Sequence, residues 1–209
     1  MSSAKAGSDD ANGQSKSLRE LNKEATRAAI LDAGRKLFGR HGYADTPLQA
    51  IVKAARVTTG AVYHHFCDKK ALFQAVAERV ELEILQRVAQ SAQGLPTGWQ
   101  RLTAGTAAML QVCVEPDIRR IVFEDAPNVI GAASWRKIEM QFGYGALYQT
   151  LQELHAAGEI RSTPAHILAP MILGALIEAA NAIGSAEDPQ AALADAQKTL
   201  YLFLESLRR

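Results

Sequence analysis

The sequence contains few of the residues that build covalent cross-links or metal centres. Only two cysteines, Cys67 and Cys113, occur among the 209 residues, and their spacing fits neither a disulfide framework nor a zinc motif. Of the five histidines, His64 and His65 are adjacent on one predicted helix and point about 100° apart, so they do not readily share a metal ion. We therefore predict no metal site, no cofactor and a reducing compartment. Cys113 is interpreted as a small buried hydrophobic residue, with redox sensing as the alternative.

Catalytic groups and membrane-spanning segments are also missing. The acidic pair Glu124 and Asp125 is a weak catalytic signal without a nucleophile or metal ligands, so no enzyme is predicted. The longest uninterrupted apolar run, from Ile167 to Ile177, has eleven residues, whereas a membrane span needs about twenty. The N-terminal residues lack the apolar stretch of a signal peptide. We expect a soluble, cytoplasmic protein that contacts no membrane.

The net charge of +1 conceals a separation of charge along the chain. From Lys23 to Arg79 there are ten Lys or Arg and five Asp or Glu, whereas the residues after Arg79 include ten basic and fourteen acidic side chains. A basic N-terminal region suits the phosphates of DNA, which an acidic remainder repels. Residues 1–24 lack apolar periodicity and are predicted to be a disordered tail. We predict a DNA-binding domain over 25–70 and a larger domain over 71–209.

Two short helices that meet at a tight turn are predicted between Thr46 and Phe66. Thr46 is the expected N-cap of the first helix, with Pro47 in the first helical position and Gln49 completing a capping box. Thr58 or Thr59 is expected to cap the second helix. Its outward face would carry Thr58, Thr59, Gly60, Tyr63 and His64. This polar face favours a helix-turn-helix whose second helix enters the DNA major groove, over the alternative of an ordinary helical hairpin.

No strand pattern or internal repeat interrupts the rest of the chain, so an all-α fold of about nine helices is predicted. A long helix capped by Asp68 connects the two domains, and another, Ala132 to Ala157, runs through the middle of the larger domain. The last two helices carry more apolar surface than one small domain covers, which predicts a homodimer. The predicted interface residues are Ile172, Leu176, Leu200, Phe203 and Leu204.

A family resemblance is carried by residues in register across three predicted helices. They are the run from Ala29 to Phe38, Gly42, Tyr43, Thr46, Ile51, Ala55, Val57, Gly60, the run from Val62 to Phe66, Lys69, Leu72 and Phe73. This pattern resembles the N-terminal domain of the TetR family of transcriptional regulators. Two positions depart from the pattern: Arg56 replaces the usual turn glycine, and Thr59 stands where many members have lysine.

The resemblance implies a regulator, most often a repressor, that binds a near-palindromic double-stranded DNA operator as a homodimer. A small-molecule ligand would release it by tilting the helix between the domains. Together with position on the second helix, the resemblance assigns phosphate contacts to Thr46, Thr58, Tyr63 and Lys69, and base-edge contacts to Thr59, Gly60, Ala61 and His64. The alternative is a helix-turn-helix regulator controlled by a protein partner or by thiol oxidation.

The small molecule is expected to bind beside the long central helix. The aromatic side chains of this helix would face the small side chains of Ala104, Ala107 and Ala108, which cannot fill the space between the helices and so leave a cavity. We expect a planar or largely apolar molecule with a polar or cationic group. Glu178 and Asn181 lie in the pocket, at the dimer surface or exposed, because their burial without partners would be costly. The predicted ligand-binding residues are Met109, Cys113, Phe123, Glu124, Trp135, Phe142, Tyr148, Glu178 and Asn181.

Overall fold

The computed structural model describes residues 18–161 and 163–209, and over these residues the fold is all-α, as predicted. The described residues form no strand and only one isolated backbone bridge, between Ile160 and Arg208. Two π-helical segments, Arg119–Asp125 and Pro127–Gly131, connect the sixth helix to the seventh. The α-helices are α1 Leu18–His41, α2 Leu48–Ala55, α3 Thr59–His65, α4 Lys69–Ala92, α5 Gly98–Val112, α6 Pro116–Ile118, α7 Ala132–Ala156, α8 Ala165–Ser185 and α9 Pro189–Glu205.

Helix α1 begins at Leu18, which corrects the predicted extent of the N-terminal tail. Residues 18–24, assigned to the tail from their polarity, belong to this helix, while the rest of the predicted tail, residues 1–17, lies outside the described residues. The helix ends where Gly42 adopts a positive φ of 81°, as expected of a helix terminator. Its inner face packs Phe38 against Phe73 of α4, with ring centroids 5.1 Å apart. This contact helps to hold α1, α2 and α3 on the first turns of α4.

Helix α4 belongs to both parts of the molecule. Asp68 caps it as predicted, because its Oδ1 accepts a hydrogen bond of 2.7 Å from the N–H of Ala71. The helix has 24 residues, which corresponds to a length of about 36 Å. Its first turns pack on α1, and its later turns pack on α5 and α7. Helix α4 therefore joins α1 of the N-terminal domain to the larger domain.

The π-helical segments form a second contact between the two parts. Pro127 starts the second segment, and the chain turns at Gly131, whose φ is 102°. The first segment places Asp125 against the end of α1, where its Oδ2 accepts a 2.7 Å hydrogen bond from the N–H of Tyr43. Asp117 of α6 also pairs with Arg35 of α1 at 2.6 Å.

Helices α5, α7, α8 and α9 complete the larger domain. Helix α7 packs on α8, and α8 packs on α9, so both final helices share one side of the domain. Among the described helices, α8 alone has the length and apolar composition of a membrane span. Ile172, Ala180 and Ile183 of this helix are buried in the core of the domain. Its apolar composition is explained in part by this packing.

Candidate nucleic-acid interface and ligand cavity

Helix α3 is fixed by a cap at its start and by buried side chains along one face. The Thr58 hydroxyl oxygen accepts a 3.1 Å hydrogen bond from the N–H of Ala61, as a predicted N-cap should. Val62 and Phe66 are buried against the core of the N-terminal domain. Before this helix, Arg56 ends α2 in the left-handed region, with φ 56° and ψ 41°. The sharp turn expected of a helix-turn-helix is therefore present, although a side chain occupies the position that favours glycine.

The outer face of α3 presents most of the predicted DNA-contacting residues together. Thr58, Thr59, Gly60, Tyr63 and His64 are exposed, and Ala61 is half-buried. The hydroxyl groups and the imidazole of this face can reach base edges or phosphates. Among the described residues, α3 makes its main contacts with α1 and α2, and this face is exposed.

Thr46 does not have the role that the sequence suggested. It is only 1% exposed, and its hydroxyl lies 2.7 Å from the carbonyl oxygen of Gly42 and 3.2 Å from that of Leu37. Pro47, which offers no side-chain cap, is the N-cap of α2, so the predicted capping box is wrong. The Thr46 side chain instead fixes the turn after α1, and the structure gives it no free hydroxyl for a phosphate.

Lys69 lies in the first turn of α4, where its charge opposes the helix dipole. Its Nζ is 4.3 Å from the centroid of the Tyr43 ring, in cation–π geometry. Burial lowers the pKa of Lys69, while Asp45 and Asp125 favour its charged form. Lys69 is half-buried, so a phosphate contact would add to its existing contact with Tyr43.

A basic stripe on α1 was missed because residues 18–24 were assigned to the tail. Arg19, Lys23 and Arg27 are exposed at intervals of four residues, which places them on one side of the helix. Arg27 stacks over the Phe66 ring at the end of α3, 5.4 Å from its centroid. The pKa of His65 is lowered, first by burial and then by the nearby positive charges of His64, Lys23 and Arg27. This stripe extends the positive charge around α3, and its four-residue spacing was visible in the sequence.

A cavity of about 410 Å³ lies in the larger domain, between α4, α5, α7 and α8. Of the predicted ligand-binding residues, Met109 and Phe142 line it. Arg101 stands in its wall and pairs with Glu153 at 3.4 Å. The full lining is mainly apolar and comprises Leu85, Val88, Ala89, Ala92, Arg101, Leu102, Gly105, Thr106, Met109, Phe142, Gly143, Ala146, Leu147, Thr150, Leu173 and Leu176.

The other predicted ligand-binding residues are not in this lining. Glu124 is exposed and pairs with Arg119 at 3.0 Å, and Phe123 beside it is half-buried. Tyr148 stacks on Tyr144, with ring centroids 5.5 Å apart, and borders a different surface cleft. These residues were selected for their chemistry, but their directions around the helices take them away from the cavity.

Glu178 and Asn181 are exposed on α8 of the protomer, which agrees with two of the three sequence-based alternatives, an exposed site or a dimer surface. Cys113 is buried, and its thiol donates a 3.3 Å hydrogen bond to the carbonyl oxygen of Met109. Burial, assisted by the charge of Glu81, raises the pKa of the Cys113 thiol to about 12. A thiol that stays protonated is a poor redox sensor, because the thiolate is the reactive form.

Two acidic side chains that were not predicted, Glu81 and Glu139, lie on helices that line the cavity. Glu81 of α4 is 7% exposed, and burial, followed by the charge of Glu139, raises its pKa to about 8. The pKa of Glu139 of α7 is raised to about 7, first by burial and also by the charge of Glu178, while Arg136 and the Trp135 N–H oppose the rise. No ion pair or hydrogen bond among the described residues includes the Glu81 carboxyl group. Buried acids without partners are costly, and such groups concentrate at functional sites.

The predicted dimer residues lie mostly inside the protomer. Ile172, Leu176, Leu200 and Leu204 are buried, and Phe203 is half-buried. Leu176 also lines the cavity. These residues follow the inner stripe of α8 and α9, whereas the apolar residues exposed on the opposite sides are Ile167, Met171, Tyr201 and Leu202. The helices chosen for the interface thus have free apolar surface, but on other residues.

Comparison with known proteins agrees with this arrangement. A model of "Bacterial regulatory proteins, tetR family" matches residues 30–76, and a model of "Tetracyclin repressor-like, C-terminal domain" matches residues 99–207. The crystal structure of a TetR-family transcriptional regulator from Pectobacterium atrosepticum is 34% identical, with a TM-score of 0.82, over 92% of this chain and 98% of that one.

Two further relatives match less closely. The HTH-type transcriptional regulator UidR of Escherichia coli (strain K12) is 33% identical over 72 residues. These residues cover 34% of this chain and 37% of UidR. RolR, whose structure was solved with resorcinol, has a TM-score of 0.66 at 19% identity, over 87% of this chain and 90% of that one, so it shares the fold. The chain therefore belongs to the TetR family of transcriptional regulators, which are DNA-binding proteins rather than enzymes.

Proposed function

We propose that the protein is a cytoplasmic repressor that binds a near-palindromic operator as a homodimer and leaves it when a small molecule occupies the cavity. The observation that carries this proposal is the position of α4. Leu85 and Val88 of this helix line the cavity, while Leu72 and Phe73, at its other end, lie in the core of the N-terminal domain. A ligand in the cavity that moves α4 would also move α3, the recognition helix that would enter the DNA major groove.

The size and lining of the cavity support a small-molecule effector. Ligand pockets commonly have volumes of about 300–1,000 Å³ and mainly apolar walls, and the cavity of about 410 Å³ fits both criteria. RolR, a protein of the same fold, was crystallised with resorcinol. Control by oxidation of Cys113 is disfavoured, because burial keeps this thiol protonated. Control by a protein partner is the outcome expected if no small molecule releases the DNA.

The exposed apolar side chains of α8 and α9 support the homodimer. Met171 and Leu202 are more than half exposed, at 58% and 60%, and the two helices pack side by side. A second copy related by twofold symmetry would cover both helices and form a four-helix bundle. Two copies of α3 would then face the same side of a DNA duplex, about one helical turn apart or a multiple of it.

For DNA contact, we propose that Thr58, Tyr63 and Lys69 hold phosphates, while Thr59, Gly60, Ala61 and His64 face base edges. The exposure of α3 supports these roles. The basic side chains of Arg19, Lys23 and Arg27 on α1 would add phosphate contacts beside the recognition helix.

The test of this proposal is a DNA-release assay with the full-length protein. A fluorescent duplex selected from a random library is bound by the protein, and fluorescence anisotropy is followed while small molecules are added. A loss of operator affinity of about a hundredfold would correspond to about 2.7 kcal/mol of coupling between the sites. Small molecules that bind the protein without lowering its affinity for the duplex would contradict the release mechanism.

A further inference from the structure

Two acidic side chains, the buried Glu81 and the half-buried Glu139, lie on two of the helices that line the cavity. Glu81 precedes the lining residue Leu85 by four positions on α4, and Glu139 precedes the lining residue Gly143 by four positions on α7. Four residues are about one helical turn, or about 6 Å along the axis, and place side chains on the same face of a helix. Both carboxyl groups therefore stand about one turn beyond the cavity wall. In α4 this is the direction of the N-terminal domain.

We propose that Glu81 and Glu139 are the cation-binding end of the effector site, and that the effector is an amphiphilic organic cation whose apolar body fills the cavity. This inference rests on the proposed ligand-released repressor and names the class of its ligand. The positive group, an amine or quaternary ammonium, would occupy the space between α4 and α7. The apolar part would extend beside Leu85, Met109 and Phe142.

The first support is that no cation among the described residues forms an ion pair with either acid. Glu81 has no hydrogen bond and no ion pair among the described residues. Arg136, the basic residue whose charge favours ionised Glu139, forms no ion pair with it within 4.0 Å. Other glutamates of α4 differ, since Glu83 pairs with Arg87 at 2.6 Å. A ligand cation would supply the charge that the protein lacks at Glu81 and Glu139.

The second, independent support is the side chain of Trp135. It is 1% exposed, and its indole Nε1 is a buried donor without a hydrogen-bond partner. The N–H is directed toward Glu139 closely enough to favour the charged form of that carboxyl group. Ionised Glu139 would complete this hydrogen bond, and the indole ring is the aromatic surface that attracts cations most strongly. An unpartnered indole is thus explained if Glu139 becomes a carboxylate when the ligand binds.

Two rival ligand classes fit less well. An anionic amphiphile would need a free cation in the cavity wall, but Arg101 pairs with Glu153 and donates to the carbonyl oxygen of Leu95. A metal ion would need further ligands, and no group of three His, Cys, Asp or Glu side chains in the described part of the chain is arranged to hold one. An organic cation needs only the two carboxylates and the apolar walls.

The experiment uses three probes with one skeleton and different head groups: 4-phenylbutylamine, 4-phenylbutan-1-ol and 4-phenylbutyrate. Each is titrated into the full-length protein by isothermal titration calorimetry at pH 8. We expect the amine to bind at least tenfold more tightly than the alcohol or the carboxylate. Glu81→Gln and Glu139→Gln should each remove this preference, since either variant lacks one of the two charges. The control Glu187→Gln changes an exposed glutamate in the loop between α8 and α9, away from the cavity lining, and should leave amine binding unchanged.

An amine that binds no better than the alcohol would overturn the proposal, and so would amine binding that survives both glutamine substitutions. Carboxylate binding that depends on Arg101 would assign the site to an anion instead. Melting temperatures of the variants establish that they are folded, and each glutamine variant checks the other. The anisotropy assay separates this inference from the proposed function. An amine that binds through Glu81 without releasing the operator refutes only the release mechanism, whereas release by neutral molecules alone refutes only the cation site.

Discussion

Replacing Glu81 with glutamine should change how the stability of the protein depends on pH. The pKa of Glu81 is raised from its ordinary value of 4.5 to about 8, first by burial and then by the charge of Glu139. The protonated carboxyl group suits the folded state, whereas the unfolded chain ionises at lower pH. The contribution of Glu81 to stability is therefore fully present below pH 4.5 and is lost as the pH rises toward 8.

The size of this effect follows from the difference between the two pKa values. One pKa unit corresponds to about 1.36 kcal/mol, so the complete loss is about 5 kcal/mol. Most of it, about 4 kcal/mol, falls between pH 5 and pH 8.5. Because glutamine resembles the protonated acid and does not ionise, Glu81→Gln should lack this decline. The groups that face Glu81, Glu139 and Cys113, remain in the variant.

The assay is urea unfolding of the wild type and the variant at several pH values from 5 to 8.5, with the same protein concentration throughout. The free energy of unfolding of the wild type should fall relative to that of Glu81→Gln by about 4 kcal/mol over this range. The control Glu187→Gln changes an exposed glutamate in the loop between α8 and α9 and should follow the wild type. Parallel curves for the wild type and Glu81→Gln would refute the reasoning that a buried, unpaired acid ionises in this range.

Three further predictions concern the turn, the DNA contacts and the dimer. Arg56→Gly should raise the free energy of unfolding, measured in urea, by up to about 1 kcal/mol, because φ is 56° at this residue and glycine removes the left-handed strain. A variant less stable than the wild type would show that Arg56 does not strain the turn. Lys69→Ala should weaken binding to all DNA sequences alike and reduce the slope of log binding constant against log salt concentration by about one. The control Lys137→Ala in the larger domain should leave this slope unchanged. An unchanged slope for Lys69→Ala would show that Lys69 makes no phosphate contact. Leu202→Asp should yield folded monomers by light scattering, whereas Leu82→Asp, at a 48% exposed leucine of α4, should leave the dimer intact; a dimeric Leu202→Asp would move the interface away from α9.

The parts of the fold that were predicted correctly depend on local chemistry. Thr58 and Asp68 cap their helices with their own side chains, as their sequence positions predicted. Thr46 satisfies the same sequence rule, but its hydroxyl group contacts the carbonyl oxygens of Gly42 and Leu37. These tertiary contacts compete with the helix cap, and a sequence pattern does not contain them.

The ligand site was predicted less well because its residues are selected by the directions of four packed helices. Trp135 and Phe142 lie on the same helix and looked equivalent in the sequence, yet only Phe142 lines the cavity. Glu81 was overlooked because it lies among charged residues such as Arg79 and Glu83, which indicate a solvent-facing stretch. Only the packing of α4 against α5 and α7 shows that this one glutamate is buried.

The measurement that tests the central claim most directly is selection of DNA from a random duplex library by the full-length protein. If α3 reads the major groove in a twofold-symmetric dimer, the selected duplexes should share a near-palindromic site with half-site centres about 34–36 Å apart, or a multiple of that distance. Repeating the selection with His64→Ala should change the preferred bases within each half-site and keep the spacing. Recovery of unrelated sequences, with retention that disappears at physiological salt, would show that the binding is only electrostatic and would contradict the account.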